Sequence, residues 1–304
     1  MHRRDGGQEP GGVPVKRKTP PAREPAGGVG RPDRRIPRIL HQVFVGGKLT
    51  GELQENVNRL KARNPGWEHR LYDDERAEKL IKDVYGDDML AIYEKISPEY
   101  LAARVDLLCN LIIYDAGGVY LDIKSTFEQP LDNVIRDDDA YILAQWHNSP
   151  GEQKEGWGLH RDLAHVPGGE YMKHFIIAEP YHPFSAAVIQ KIVANVRNYR
   201  PWSAVGRTGT LRTTGPIAYT LGIHPILDQH PHRFATEEEL SAIYSIGGDY
   251  DHYAVFKKHY TTQSSPVVSL SRTGTMLSRV FVGLRIMKHA VAGWFAKGHE
   301  GHSR

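Results

Sequence analysis

"GGVYLDIKSTFEQPLD", residues 117–132, sets an acid and a base one residue apart, Asp122 and Lys124, behind two glycines and Tyr120. Side chains on an extended strand repeat every two residues, so both groups are expected on one face. A carboxylate there suits a hard cation such as Mg²⁺ or Mn²⁺, for which a second acid would be the usual companion. The ammonium that stands in its place suits an anionic ligand. The pair also reads as a surface i, i+2 ion pair, which would contribute little. Upstream, Arg104 and Asp106 sit in "YLAARVDLLCNLIIYDAGG". Two apart on a helix, they do not face each other, and a private salt bridge between them is not expected.

These groups need elements to hold them. "SPEYLAARVDLLCNLIIYDAGG" reads as a helix with Ser97 as N-cap, Pro98 at the first helical position and Gly117 as its stop. "VYLDI" reads as a strand entered through the two glycines. Before them come "IPRILHQVFVGG" as a strand, "LTGELQENVNRLKARNP" as a helix stopped by Pro65, and "GWEHRLYDD" as a strand. "ERAEKLIKDVYGDDMLAIYEKI" follows as a helix broken at Gly86. Downstream, "AYILAQW" and "HFIIAEP" read as strands, "PFSAAVIQKIVANVRNY" as a helix and "TTGPIAYTLGI" as a turn into a helix. Strands alternating with helices predict an α/β fold around a mostly parallel sheet. In such sheets ligands bind outside the carboxyl ends of the strands, and Asp122 stands near one.

With 304 residues and 40% apolar content, the chain can bury a sizeable core. Residues 1–35 are rich in Gly, Pro and Arg and nearly devoid of large apolar side chains, so a disordered basic arm is expected there, ahead of a domain over 36–270. Lys and Arg number 39 against 36 Asp and Glu, a net charge of +3 with much of the excess at the two ends. No concentrated basic face is expected over the body, and hence no nucleic-acid partner. Cys109 is the single cysteine, which suits a reducing compartment. The opening residues hold no apolar run fit for a signal peptide, so the cytoplasm is the expected location. Residues 271–304 read as a basic amphipathic helix and tail. Leu277, Val280, Leu284, Met287, Val291 and Trp294 form its stripe, with Arg279, Arg285, Lys288 and His289 off it. Such a helix suits a membrane surface through 275–297, or packs onto the domain.

The helix "YLAARVDLLCNLIIYDAGG", the strand "VYLDI" and the following "FEQPLD" together resemble the sugar-nucleotide-binding region of the family 32 glycosyltransferases. Upstream "IPRILHQVFVGG" and downstream "HPFSAAVI" and "TTGP" extend the likeness over roughly 36–265. The resemblance implies a GT-A (Rossmann-like) fold and retaining transfer of a hexose, mannose among the choices, from a nucleotide-diphosphate sugar. The acceptor it implies is a glycan, a lipid-linked sugar or a polysaccharide. It assigns Phe44 to stacking on the donor base, Arg104 and Asp106 to the donor sugar, and Tyr120 and Asp122 to the start of a D-x-D motif. Two positions depart from that pattern: Cys109 replaces a second helix arginine, and Lys124 replaces the second acid.

The chemistry fits the likeness. A nucleotide diphosphate leaves as a polyanion, so its departure needs fixed positive charge or a divalent metal. Lys124 is expected to supply charge that a metal would otherwise bring, which would weaken any dependence on Mn²⁺ or Mg²⁺. Asp122 and Lys124 are the expected catalytic pair, and Asp122 with His259 the expected metal ligands. The glycine-rich segment 147–170 is the expected acceptor-side loop or lid. Two rival functions stay open: toxin-like glycosylation of a protein, and a non-catalytic sugar-nucleotide-binding homologue.

Overall fold

Gly117 and Gly118 set how the central strand enters the sheet. In the computed structural model, which describes residues 34–49, 51–247, 263–284 and 287, these glycines hold φ of +63° and +97°. A Cβ on Gly118 would lie 2.4 Å from the Ile39 carbonyl oxygen, and one on Gly117 2.6 Å from Pro180 Cδ. Glycine alone tolerates both the left-handed backbone and the close approach.

The strands are β1 (Ile39–Val43), β2 (Glu68–Tyr72), β3 (Gly118–Leu121), β4 (Thr126–Phe127), β5 (Tyr141–Leu143), β6 (Phe175–Ala178), β7 (Arg233–Phe234) and β8 (Ala242–Ile243). The helices are α1 (Gly51–Arg63), α2 (Asp74–Leu80), α3 (Asp87–Lys95), α4 (Leu101–Ala116), α5 (Leu131–Val134), α6 (Pro183–Arg197), α7 (Gly206–Thr213), α8 (Pro216–Ile223) and α9 (Glu237–Leu240). A further helix, α10, covers 272–284. The main sheet has the order β2-β1-β3-β6-β5-β7, and β4 with β8 forms a separate ribbon. β1 runs parallel to β2 and β3, and β5 parallel to β7; β6 alone runs against its neighbours. The expected α/β architecture with a mostly parallel central sheet is therefore present.

Both faces of the sheet are covered, which explains the nearly unbroken apolar runs of its strands. On one face α4 buries Leu107 to Ile113, packing with Tyr120, Ile176 and α6. On the other, Val119, Leu121, Phe175 and Ile177 join Phe127 and Trp146. On β1, neutral His41 ties the layers: its Nε2–H donates to the Gly117 carbonyl at 2.9 Å, so Nδ1 accepts from the Tyr72 hydroxyl at 3.0 Å. Burial pushes its pKa down to about 4, which keeps the ring neutral, and the Gly117 carbonyl fixes the tautomer.

Two expectations need correction. The helix expected to start at Ser97–Pro98 starts at Leu101, after a turn closed from Tyr100 N to Ser97 O. Tyr100 is fully buried, and its hydroxyl donates to Ser265 O and accepts from Gly206 N. That tertiary anchor outweighs the local capping signal. Order also begins at least two residues before 36: Arg34 pairs with Asp132 and Asp137, and Arg35 with Glu179.

Candidate active site

At Leu121 the central strand stops, and Asp122 opens a turn. Its N–H donates to His174 O at 2.8 Å, Ser125 N donates back to Asp122 O at 2.8 Å, and its Oδ1 accepts the Tyr120 hydroxyl at 2.6 Å. Buried Asn56 of α1 donates to Ile123 O at 3.3 Å and Ser125 O at 2.8 Å, so the turn's carbonyls are satisfied from below. The expected common strand face for Asp122 and Lys124 is therefore absent. β1 pairs with β3 only through Leu40 and His41, and beyond that point the turn replaces the ladder. Lys124 instead places its ammonium 3.5 Å from the centroid of the Tyr244 ring, a cation–π contact. Its charge still reaches Asp122. Burial raises the Asp122 pKa, and Lys124, the Tyr120 hydroxyl and Lys173 offset only part of the rise.

Helix α4 supplies the second carboxylate. Asp106 Oδ1 is paired with the Lys173 ammonium and Oδ2 accepts the Thr214 hydroxyl at 2.9 Å. Lys173 Nζ also lies 3.5 Å from Cys109 Sγ. Burial works to lower the Lys173 pKa, but Asp106, Cys109 and Asp122 together hold it above the ordinary lysine value. Cys109 is wholly buried, and burial pushes its thiol up to about 12, so it is a packed, unreactive side chain.

Asp106, Tyr120 and Asp122 thus converge where α4 meets the ends of β3 and β6. Arg104 does not join them. Its Nε donates to Ile96 O at 3.0 Å and its guanidinium lies 5.2 Å from the Tyr93 ring centroid. Phe44, half-buried just past the end of β1, packs with Leu53, Val57 and Ile123, the last of these next to Asp122 in the turn. His259 lies outside the described residues. Sequence reasoning missed Asn56, Lys173, Thr214 and Tyr244. Lys173 carried a legible signal, a charged residue leading into the apolar run of β6, and Thr214 belongs to the "TTGP" segment.

The far side of the turn is aromatic. His174 is buried and stacked on Trp146 with ring centroids 5.7 Å apart, and burial with Lys124 and Lys154 pushes its pKa down to about 3. Segment 147–170 is braced from within: Trp146 Nε1 donates to Glu170 Oε1 at 2.8 Å, His160 Nε2 meets Glu170 Oε2 at 2.8 Å, and Asn148 donates to Trp157 O and Gly168 O. Tyr244 and Lys154 line an open cleft of about 480 Å³ with Glu128, Glu237 and Glu238.

Asp122 Oδ2 accepts no hydrogen bond from a described residue. No group of three or more His, Cys, Asp or Glu side chains that could hold a metal occurs among the described residues. One available carboxylate oxygen fits Mg²⁺ or Mn²⁺ only where a bound diphosphate and water complete the shell, an arrangement Mg²⁺ commonly adopts.

Residues 50–141 match the family described as a glycosyltransferase sugar-binding region containing a DXD motif. That stretch includes "YLAARVDLLCNLIIYDAGG" and "VYLDI", the segments that carry the resemblance. The chain is 26% identical over 104 residues to inositol phosphoceramide mannosyltransferase 1 of Schizosaccharomyces pombe, covering 33% of this chain and 32% of that protein. It is 22% identical over 200 residues to mannosyl phosphorylinositol ceramide synthase CSH1 of Saccharomyces cerevisiae, covering 62% of this chain and 50% of that one. The chain thus spans between a third and a half of the length of these relatives. Among solved structures, PaToxG glycosyltransferase aligns with a TM-score of 0.44 at 16% identity, over 64% of this chain and 71% of that one. The UDP-bound glycosyltransferase domain of the YGT toxin aligns with a TM-score of 0.43 at 11% identity, over 71% and 82%.

Proposed function

We propose that the protein is a retaining glycosyltransferase that moves a hexose, mannose by preference, from a nucleotide-diphosphate sugar to a glycan, lipid-linked or polysaccharide acceptor. The observation that carries this reading is Asp122, fixed by Tyr120 at the end of the central strand with two ammonium groups acting on it. In this reading the base lies against Phe44 and the hexose lies toward Asp106. Lys124 swings from Tyr244 to the diphosphate, where its charge stabilises the leaving group. A divalent cation on Asp122, when bound, adds charge at the same oxygens. The test is a thermal-shift screen against UDP-, GDP- and ADP-sugars with and without Mn²⁺, followed by transfer of labelled sugar. The expected result is a stabilising shift with one base and label in a glycan or lipid. Label in protein would instead favour the toxin-like reading.

One observation favours a second reading. Asp106 is already engaged through both oxygens and Lys124 rests on an aromatic ring, as suits a homologue that binds a donor without transferring it. A donor that stabilises the protein but is neither hydrolysed nor transferred would decide for it.

The relatives' names specify an inositol phosphoceramide, which supports a lipid-linked acceptor and work at a membrane surface. No helix among the described residues is long and apolar enough to cross a membrane. On α10, Leu277, Val280 and Leu284 are 51%, 57% and 51% exposed, while Gly274 and Ser278 face inward. Trp202 extends the apolar face by meeting Phe281, ring centroids 6.0 Å apart. Arg272 and Arg279 add charge of the sign that anionic lipid attracts. We place the protein on the inner, cytoplasmic face of a membrane. Deleting residues 275–304 is expected to release it from anionic vesicles in a flotation assay with its melting transition kept. An aggregating truncation would make α10 part of the core.

A further inference from the structure

Strict alternation along β6 would put Lys173 on the same side of the sheet as Phe175. His174 and Phe175 both go to the Trp146 side instead, and Lys173 emerges on the α4 side, where its ammonium meets Asp106 and Cys109. The local break in the pleat delivers one charged group to one place. Its side chain is 7% exposed. A buried ion pair is a poor means of stabilising a core, since apolar side chains of similar volume do as well or better. The pair therefore calls for another role. An ammonium has three donors. One goes to Asp106 Oδ1 and one to the thiol of Cys109, a weak acceptor; among the described residues the third has no partner. Thr214, from the turn ahead of α8, secures the other oxygen of Asp106.

We infer that Lys173 is a positioning residue of the donor site, specific for the hexose portion of the nucleotide sugar. It holds the Asp106 carboxylate oriented toward the sugar hydroxyls, with its remaining N–H left for the same sugar. The inference rests on the glycosyltransferase reading and adds a division of labour: Lys124 serves the diphosphate and Lys173 the hexose. Neither motif spacing nor the family match, which ends at residue 141, points to residue 173.

Titration calorimetry tests this with the nucleotide sugar selected by the screen and its parent nucleoside diphosphate. Lys173→Met is expected to weaken the nucleotide sugar at least about tenfold, the scale of losing a hydrogen bond to a charged group, and the nucleoside diphosphate less than about twofold. Lys173→Arg should bind both ligands within a few-fold of wild type. Cys109 is the helix residue beside the ammonium, one turn beyond Asp106, so Cys109→Arg combined with Lys173→Ala moves the cation onto α4 and should recover most of the lost affinity. If Lys173→Met does not fold, the Arg and double variants carry the test, since both keep a cation beside Asp106. The inference is overturned if Lys173→Met binds the nucleotide sugar like wild type, or if it loses both ligands equally. A folded double variant that recovers nothing would also overturn it. A wild-type protein that binds no nucleotide sugar would instead sink the glycosyltransferase reading itself.

Discussion

Asp122→Asn is expected to lower turnover at least about a hundredfold, the scale of removing one well-placed electrostatic group from a reacting site. The fold should survive it. The amide keeps an oxygen to accept the Tyr120 hydroxyl, and the backbone bonds to His174 and Ser125 are unchanged. Burial already disfavours the charged form of Asp122, so a neutral isostere relieves part of that cost. A melting transition within a few degrees of wild type, with turnover lost, is the expected pair of measurements. The raised pKa adds a sign that can be checked. Turnover needs the carboxylate, so the wild-type rate should fall on the acid side as Asp122 takes up a proton, at a higher pH than an ordinary aspartate would give. Full turnover by Asp122→Asn would move the site elsewhere in the molecule.

How much of this was legible before the structure depends on which contacts are local. The strands and helices around Asp122 follow apolar periodicity and glycine punctuation, and Gly117 and Gly118 stand where the helix yields to the strand. Tyr120 and Asp122 are two residues apart, so their pairing was within reach of sequence reasoning. The start of α4 was not. It is fixed by Tyr100 reaching Ser265 and Gly206, residues more than a hundred positions away. Lys124 misled for a related reason. Period two holds only while a strand continues, and what ends this one is Asn56, a side chain of another element that bonds to two carbonyls of the turn. Lys173 and Thr214 meet Asp106 across separations of 67 and 108 residues. Their convergence is a property of the folded sheet and of a break in the β6 pleat, which no spacing rule encodes.

The second large effect concerns the lysine that stands where an acid was expected. If Lys124 supplies charge to the departing diphosphate, wild-type enzyme in excess chelator should keep measurable donor hydrolysis or transfer. Lys124→Ala should then lose most of that residual rate, and Mn²⁺ should restore it only in part, because one carboxylate oxygen makes a poor seat for a hard cation. Tyr244 enters the same test. The ring holds the ammonium at 3.5 Å, so Tyr244→Phe should behave as wild type, while Tyr244→Leu should reproduce part of the Lys124→Ala defect. Lys124→Asp is the converse experiment. The turn from Asp122 to Ser125 brings its two ends within about 7 Å, with residue 124 inside it. If the side chain at 124 turns from Tyr244 toward the diphosphate, as the Lys124 reading requires, an aspartate there would share a cation with Asp122, and the variant should become strictly metal-dependent, inactive in chelator and active with Mn²⁺. The competing account keeps Lys124 on Tyr244 throughout, with the metal held by Asp122, His259 and the diphosphate. Complete loss of wild-type turnover in chelator, together with an unimpaired Lys124→Ala enzyme, would establish that account and reduce Lys124 to a brace on the Tyr244 ring.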